Sequence, residues 1–135
     1  MSNVVKCMEN ENETMSSKPL KNTILRIISM KSKIQDITEQ NIFNPQLSVC
    51  FIAKQLYIST SYLYRCCAYN FGMSTSEYID ECKLKKACEL IQQGDESFSY
   101  IAHRLNYCSQ SYFSTRFKKK YGMSPMQYSR HINKS

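Results

Sequence analysis

The sequence predicts an all-α protein of about seven helices: two helix-turn-helix subdomains joined by a long connecting helix. Three observations carry this. Residues 49–78 and 98–128 repeat one another. Ile52, Ala53 and Leu56 fall on Ile101, Ala102 and Leu105 at an offset of 49. After one extra residue, Ser59, Tyr62, Leu63, Cys67, Gly72 and Tyr78 fall on Ser109, Tyr112, Phe113, Phe117, Gly122 and Tyr128 at 50. A fixed-period match sets architecture before any local assignment, and two copies make two units side by side rather than a solenoid. Second, each copy has apolar residues at helical spacing, bounded by serine caps and a glycine stop. Third, charge is segregated along the chain. Residues 97–135 hold Arg104, Arg116, Lys118, Lys119, Lys120, Arg130 and Lys134 with no acid, and residues 44–76 hold only Lys54 and Arg65. Six of the acids gather in 77–96: Glu77, Asp80, Glu81, Glu89, Asp95 and Glu96.

The elements follow in order. Residues 1–29 read as a polar, flexible tail, Asn-, Glu- and Ser-rich over its first 20 positions, with a short helix possible over 23–30. The first subdomain spans 30–75. It opens on a helix over 31–41, which Asn44 and Pro45 end, because proline disfavours helix at the residue before it. Ser48 then caps a helix that buries Val49, Ile52, Ala53 and Leu56, since a serine oxygen accepts from an otherwise unpaired helix-start amide. Ser59 caps a second helix. Leu63, Cys66 and Cys67 pack inward on it, and Ser61, Tyr62, Tyr64 and Arg65 point out.

Ser74 and Glu77 form a capping box that opens the connecting helix, 76–93, stopped by Gly94. At 1.5 Å per residue it is a strut of roughly 27 Å. The second subdomain, 94–135, repeats the plan. Ser97 caps a helix burying Phe98, Ile101, Ala102 and Leu105, and Asn106 supplies a turn residue tolerant of left-handed backbone. Ser109 caps the helix from Gln110 to about Tyr121, with Phe113 and Phe117 inward and Ser111, Tyr112, Ser114, Thr115 and Lys118 outward. Ser124, Pro125 and Gln127 start a closing helix that carries Tyr128 and Ile132.

Two short helices with a tight turn, the second presenting a hydroxyl- and amide-rich face, match the helix-turn-helix, whose second helix enters the DNA major groove. The formal net charge is +7 and the pI about 9.0. A basic run is usually only a solvated face. Here both acid-free stretches coincide with a motif that needs phosphate contacts, which points to nucleic acid.

The spacing A-x-x-L-x-x-S-x-x-Y-L, the two Gly-Met-Ser turns, and IAxxLxYxSQSYFSxxFKKxYGMSPxxY resemble the DNA-binding domain of the AraC/XylS family of bacterial transcription regulators. The resemblance covers about residues 33–130 and is most specific in its second half. It implies base reading at Ser61, Tyr64 and Arg65 in the first unit and at Gln110, Ser111, Ser114 and Thr115 in the second. Chemistry agrees for several. Arginine grips guanine O6 and N7 bidentately, an amide grips adenine N6 and N7, and a threonine methyl meets a thymine methyl. Ser48, Ser97, Lys118, Lys119 and Lys120 are expected on phosphates, contacts that position without specifying. Tyr112 reads equally as packing, and Ser111 as a helper of its cap.

The resemblance further implies a double-stranded DNA partner, RNA polymerase as the target of activation, a monomer on DNA and a bacterial cytoplasmic, nucleoid-associated location. It matches the short members that lack a sensing domain. Three departures stand out. Tyr57 and Asn106 occupy turn positions where the family favours glycine, so the first turn is expected to differ in shape. Cys67, Ala68 and Tyr69 stand where the family often has a phenylalanine followed by basic residues, and Ser129 stands where an arginine is usual. The other function class open to this fold is a co-regulator that binds a second protein and reads little DNA.

An enzyme has no support. With three glycines, no paired-carboxylate, nucleophile–base or phosphate-loop signature and no cofactor motif is present. Seven cysteines lack metal-ligand spacing and read as reduced thiols, as His103 and His131 read as solvated. No stretch reaches membrane-spanning length and no leader is evident.

Overall fold

Helix boundaries are set by short-range chemistry that the chain repeats. The computed structural model describes residues 17–133 and contains seven helices among them: α1 Ser17–Gln40, α2 Val49–Gln55, α3 Thr60–Phe71, α4 Thr75–Gln93, α5 Phe98–Arg104, α6 Gln110–Tyr121 and α7 Pro125–Asn133. Ser48, Ser59, Ser74, Ser97 and Ser109 each accept an amide three residues on, at 3.0–3.2 Å. The Ser74–Glu77 box is complete, with Ser74 N donating to Glu77 Oε1 at 2.9 Å. Gln127 does the same work for Ser124 at 2.8 Å. Gly72, Gly94 and Gly122 close α3, α4 and α6 at φ of 70 to 78°.

The expected boundary between a tail and the first subdomain at 29/30 falls inside a helix. Helix α1 is continuous through that point; residues 1–16 lie outside the described residues. Ile27, Met30 and Ile34 are buried, and Asn70 Nδ2 donates to Ile27 O at 2.7 Å, fastening the early part of α1 to α3. The apolar spacing of Ile27, Met30, Ile34 and Thr38 is a single stripe, and Thr38 satisfies its buried hydroxyl on Ile34 O at 2.7 Å.

The first turn also differs from expectation. Tyr57 adopts φ +57° and Asn106 φ +63°. Both turns are closed by the same pair of bonds. Ile58 N reaches Ala53 O and Tyr57 N reaches Lys54 O; Tyr107 N reaches Ala102 O and Asn106 N reaches His103 O. This is the Schellman pattern, and the tyrosine bears its left-handed backbone rather than reshaping the turn.

The core is continuous across the two units. Leu63, Cys66 and Cys67 are fully buried in the first, with the Phe71 and Tyr78 rings stacked at 4.1 Å. In the second, Phe113, Phe117, Tyr121 and Tyr128 form an aromatic cluster with centroids 4.8–5.9 Å apart. Helix α4 lies between the units and gives Tyr78, Ile79, Leu84, Ala87, Leu90 and Ile91 to the core. Gln92 Nε2 donates to Tyr128 Oη at 2.7 Å and so ties α4 to α7.

Candidate nucleic-acid interface

On α3, Leu63, Cys66 and Cys67 turn inward, so Ser61, Tyr64 and Arg65 are left exposed by helical periodicity alone. Tyr62, expected outward, is partly buried, and the Arg65 guanidinium lies 5.7 Å from its ring. Thr60, Ser61, Tyr64 and Arg65 share an open concavity with Val49 and with Ser74, Thr75 and Ser76 at the start of α4. Neither Thr60 nor Ser74, Thr75 and Ser76 at the start of α4 are among the base-reading positions the resemblance implies.

On α6, Gln110, Ser111 and Thr115 are exposed and Ser114 is half-buried. Thr115 Oγ1 donates to Ser111 O at 3.0 Å, which uses its hydroxyl within the helix and leaves its methyl outward. Tyr112 is half-exposed with its ring 6.2 Å from that of Tyr107, so it combines packing with an outward edge. Ser48 and Ser97 use their oxygens as caps and keep the hydroxyl proton to donate.

The basic run of α6 is divided. Lys118 and Lys119 are exposed, whereas Lys120 is ion-paired with Glu81 of α4. Beside it, Asp80 of α4 accepts from Tyr107 Oη at 2.8 Å and from Arg116 at 3.0 and 2.6 Å. The carboxylate beside Arg116 raises its pKa further. Burial, then the same carboxylate, pushes the Tyr107 phenol well above its usual range. Sequence periodicity left these pairs unseen because Asp80 and Arg116 lie 36 residues apart on separate helices. The acids of the connecting helix therefore clamp the second recognition helix onto the strut.

Burial pushes the thiols of Cys66, Cys67, Cys82 and Cys88 up, so they stay protonated, while Cys50 and Cys108 are exposed. Among the described residues no cluster of three or more His, Cys, Asp or Glu could hold a metal ion, and no helix is long and apolar enough to cross a membrane.

Comparison with known proteins gives one family. A helix-turn-helix domain model matches residues 52–131. The chain is 28% identical over 86 residues to the transcriptional activator RhaS of Pectobacterium atrosepticum, covering 64% of this chain and 31% of that one. It is 30% identical over 90 residues to the Msm operon regulatory protein of Streptococcus mutans, covering 67% and 32%. A similar match, 30% over 92 residues, is to 7% of Histidine kinase P4 of Formosa agariphila, a share too small to bring kinase chemistry with it. The chain thus spans about a third or less of these relatives. Among solved structures, the C-terminal domain of the response regulator AraT from Geobacillus stearothermophilus superposes with TM-score 0.68 at 31% identity, over 74% of this chain and 83% of that one. A regulator with an AraC-type DNA-binding domain from Chromobacterium violaceum gives 0.69 at 26%, over 73% and 88%. With the family model covering more than half of its length, and with both units, both turns and the joining helix in place, the chain belongs to the AraC/XylS-type helix-turn-helix family of transcription regulators.

Proposed function

We propose that this protein is a sequence-specific DNA-binding transcription regulator that reads two successive major grooves. The observation that carries this is the pair of exposed recognition faces, on α3 and on α6, held on one 19-residue strut. Nineteen residues at 1.5 Å span about 28 Å, close to the roughly 34 Å of one DNA turn. In the first unit Ser61, Tyr64 and Arg65 face base edges; in the second Gln110, Ser111, Ser114 and Thr115 do. Arg65 selects guanine and Gln110 adenine.

Ser48, Ser97, Lys118 and Lys119 hold phosphates. Lys120 contributes its charge from its pairing with Glu81 and is the weakest of that set. The regulator acts as an activator that contacts RNA polymerase and binds as a monomer in the bacterial cytoplasm. The activator title of RhaS and the pseudo-symmetric pair of units within one chain support this.

Selection of bound duplexes from a random pool tests it. Two short enriched blocks about 10 base pairs apart are expected. Affinity should fall by orders of magnitude between roughly 50 and 200 mM salt. A folded protein that enriches no sequence and shows no salt dependence refutes DNA reading and moves the assignment to a protein-binding co-regulator.

A further inference from the structure

The strut is not the only link between the two units. The loop joining α1 to α2 reaches across to the second unit. Phe43 stacks on the Arg104 guanidinium of α5 at 4.0 Å, and Phe43 O accepts from Asn106 Nδ2 at 3.0 Å. Arg104 is itself fixed by Glu96, at 2.6 Å. On the strut side, Lys86 lies 5.9 Å from the Phe43 ring.

The loop that presents Phe43 is preorganised. Asn44 Nδ2 donates to Asn41 Oδ1 at 3.2 Å, Gln46 N to Asn44 Oδ1 at 2.9 Å and Leu47 N to Asn44 O at 3.0 Å. Ile42 and Leu47 bury themselves on either side. Pro45 fixes the turn.

A single helix resists bending, but units packed on it can still swing about its axis through side-chain repacking. A tie away from that axis removes the swing. Asn106 is well placed for it. It sits at the left-handed turn position of the second unit, so the residue that shapes the turn also carries the tie.

We propose that Phe43 and Asn106 are positioning residues that lock the angle between the two recognition helices and thereby set the base-pair spacing the protein accepts. The proposal rests on two-groove reading. Neither residue reads a base. One inserted base pair shifts a half-site by about 3.4 Å and turns it by about 34°, which a locked pair of helices cannot follow.

The test uses the full chain and duplexes carrying the two selected blocks at their best spacing and with one or two base pairs added or removed. Asn106→Gly keeps the positive φ and deletes only the side-chain amide. Phe43→Leu keeps burial and deletes the stack; Phe43→Tyr restores the ring. The parent should prefer its best spacing by about tenfold or more, since a shifted half-site forfeits base contacts. Asn106→Gly with Phe43→Leu should compress that preference to about threefold or less, with binding of a single isolated block unchanged, and Asn106→Gly with Phe43→Tyr should lie between. A double variant whose spacing profile matches the parent overturns the proposal.

Residual dipolar couplings without DNA give an independent outcome. One alignment tensor should fit both units in the parent, and two should be needed in the double variant. One tensor in both proteins also overturns the proposal. A parent that enriches no paired site refutes two-groove reading itself, an outcome separate from either of these.

Discussion

Tyr57→Gly should stabilise the protein, although tyrosine to glycine in a folded domain ordinarily does the reverse. Tyr57 is 95% exposed, so its ring contributes almost no burial. Its backbone sits at φ +57°, where a β-carbon crowds the neighbouring carbonyl at a cost of about 1–2 kcal/mol. Glycine removes that cost but loses about 0.5–1 kcal/mol through the greater freedom of the unfolded chain. The difference runs from about 0 to 1.5 kcal/mol and centres on about 0.7 kcal/mol, or about 2–5 °C in Tm for a domain of this size. Thermal and urea unfolding followed by circular dichroism measure it. Tyr57→Ala is the control: it removes the ring and keeps the β-carbon, so its stability should match the parent. Asn106→Gly should gain nothing, because asparagine tolerates the left-handed region and the variant loses the bond to Phe43 O. If Tyr57→Gly melts lower than the parent, or Tyr57→Ala melts as high as Tyr57→Gly, the turn strain is not what the backbone angle implies.

Four further outcomes are expected. Arg65→Ala and Gln110→Ala should each weaken specific binding by about 1–3 kcal/mol and relax sequence preference at one position, whereas Lys118→Ala should weaken all sequences alike and reduce the salt slope by about 0.9; equal binding of the selected site by both reader variants would remove them from that role. Asp80→Asn should cost about 1–3 kcal/mol of stability, seen in urea titration, because one amide cannot accept all three bonds from Tyr107 and Arg116. Glu77 is held below its ordinary pKa of 4.5 chiefly by the Ser74 amide, so its contribution is present above that value and is lost as pH falls through the lowered folded pKa; the difference in Tm between parent and Glu77→Gln should be constant near neutrality and shrink on acidification. Iodoacetamide at neutral pH should modify the exposed Cys50 and Cys108 first, the half-buried Cys82 and Cys88 next and the buried Cys66 and Cys67 last, and peptide mapping that shows Cys66 or Cys67 reacting before Cys50 and Cys108 would contradict their burial.

What the sequence made legible, and what it hid, divides along one physical line. Caps, stops and apolar stripes are encoded within four residues of where they act, so all the helix starts from α2 to α7 could be read from Ser48, Ser59, Ser74, Ser97, Ser109 and Ser124. The duplication added the pairing of the units and with it the candidate faces of α3 and α6. The early part of α1 has no comparable local signal: its polar residues before Ile24 read as tail, and what holds it is the burial of Ile27 and the Asn70 bond to Ile27 O, a contact 43 positions apart. Lys120 is indistinguishable in sequence from Lys118 and Lys119, and only the fold sets Glu81 beside it. The same holds for the junction between units. Phe43 in a polar loop and Asn106 at a turn each have a sufficient local explanation, one as a partly buried aromatic and the other as a residue suited to positive φ. Only their contact, 63 positions apart, joins them. Local rules therefore place each recognition helix on its own unit but say nothing about the angle between the units. A protein that reads two grooves depends on that angle, and it is held by residues whose sequence signals point elsewhere.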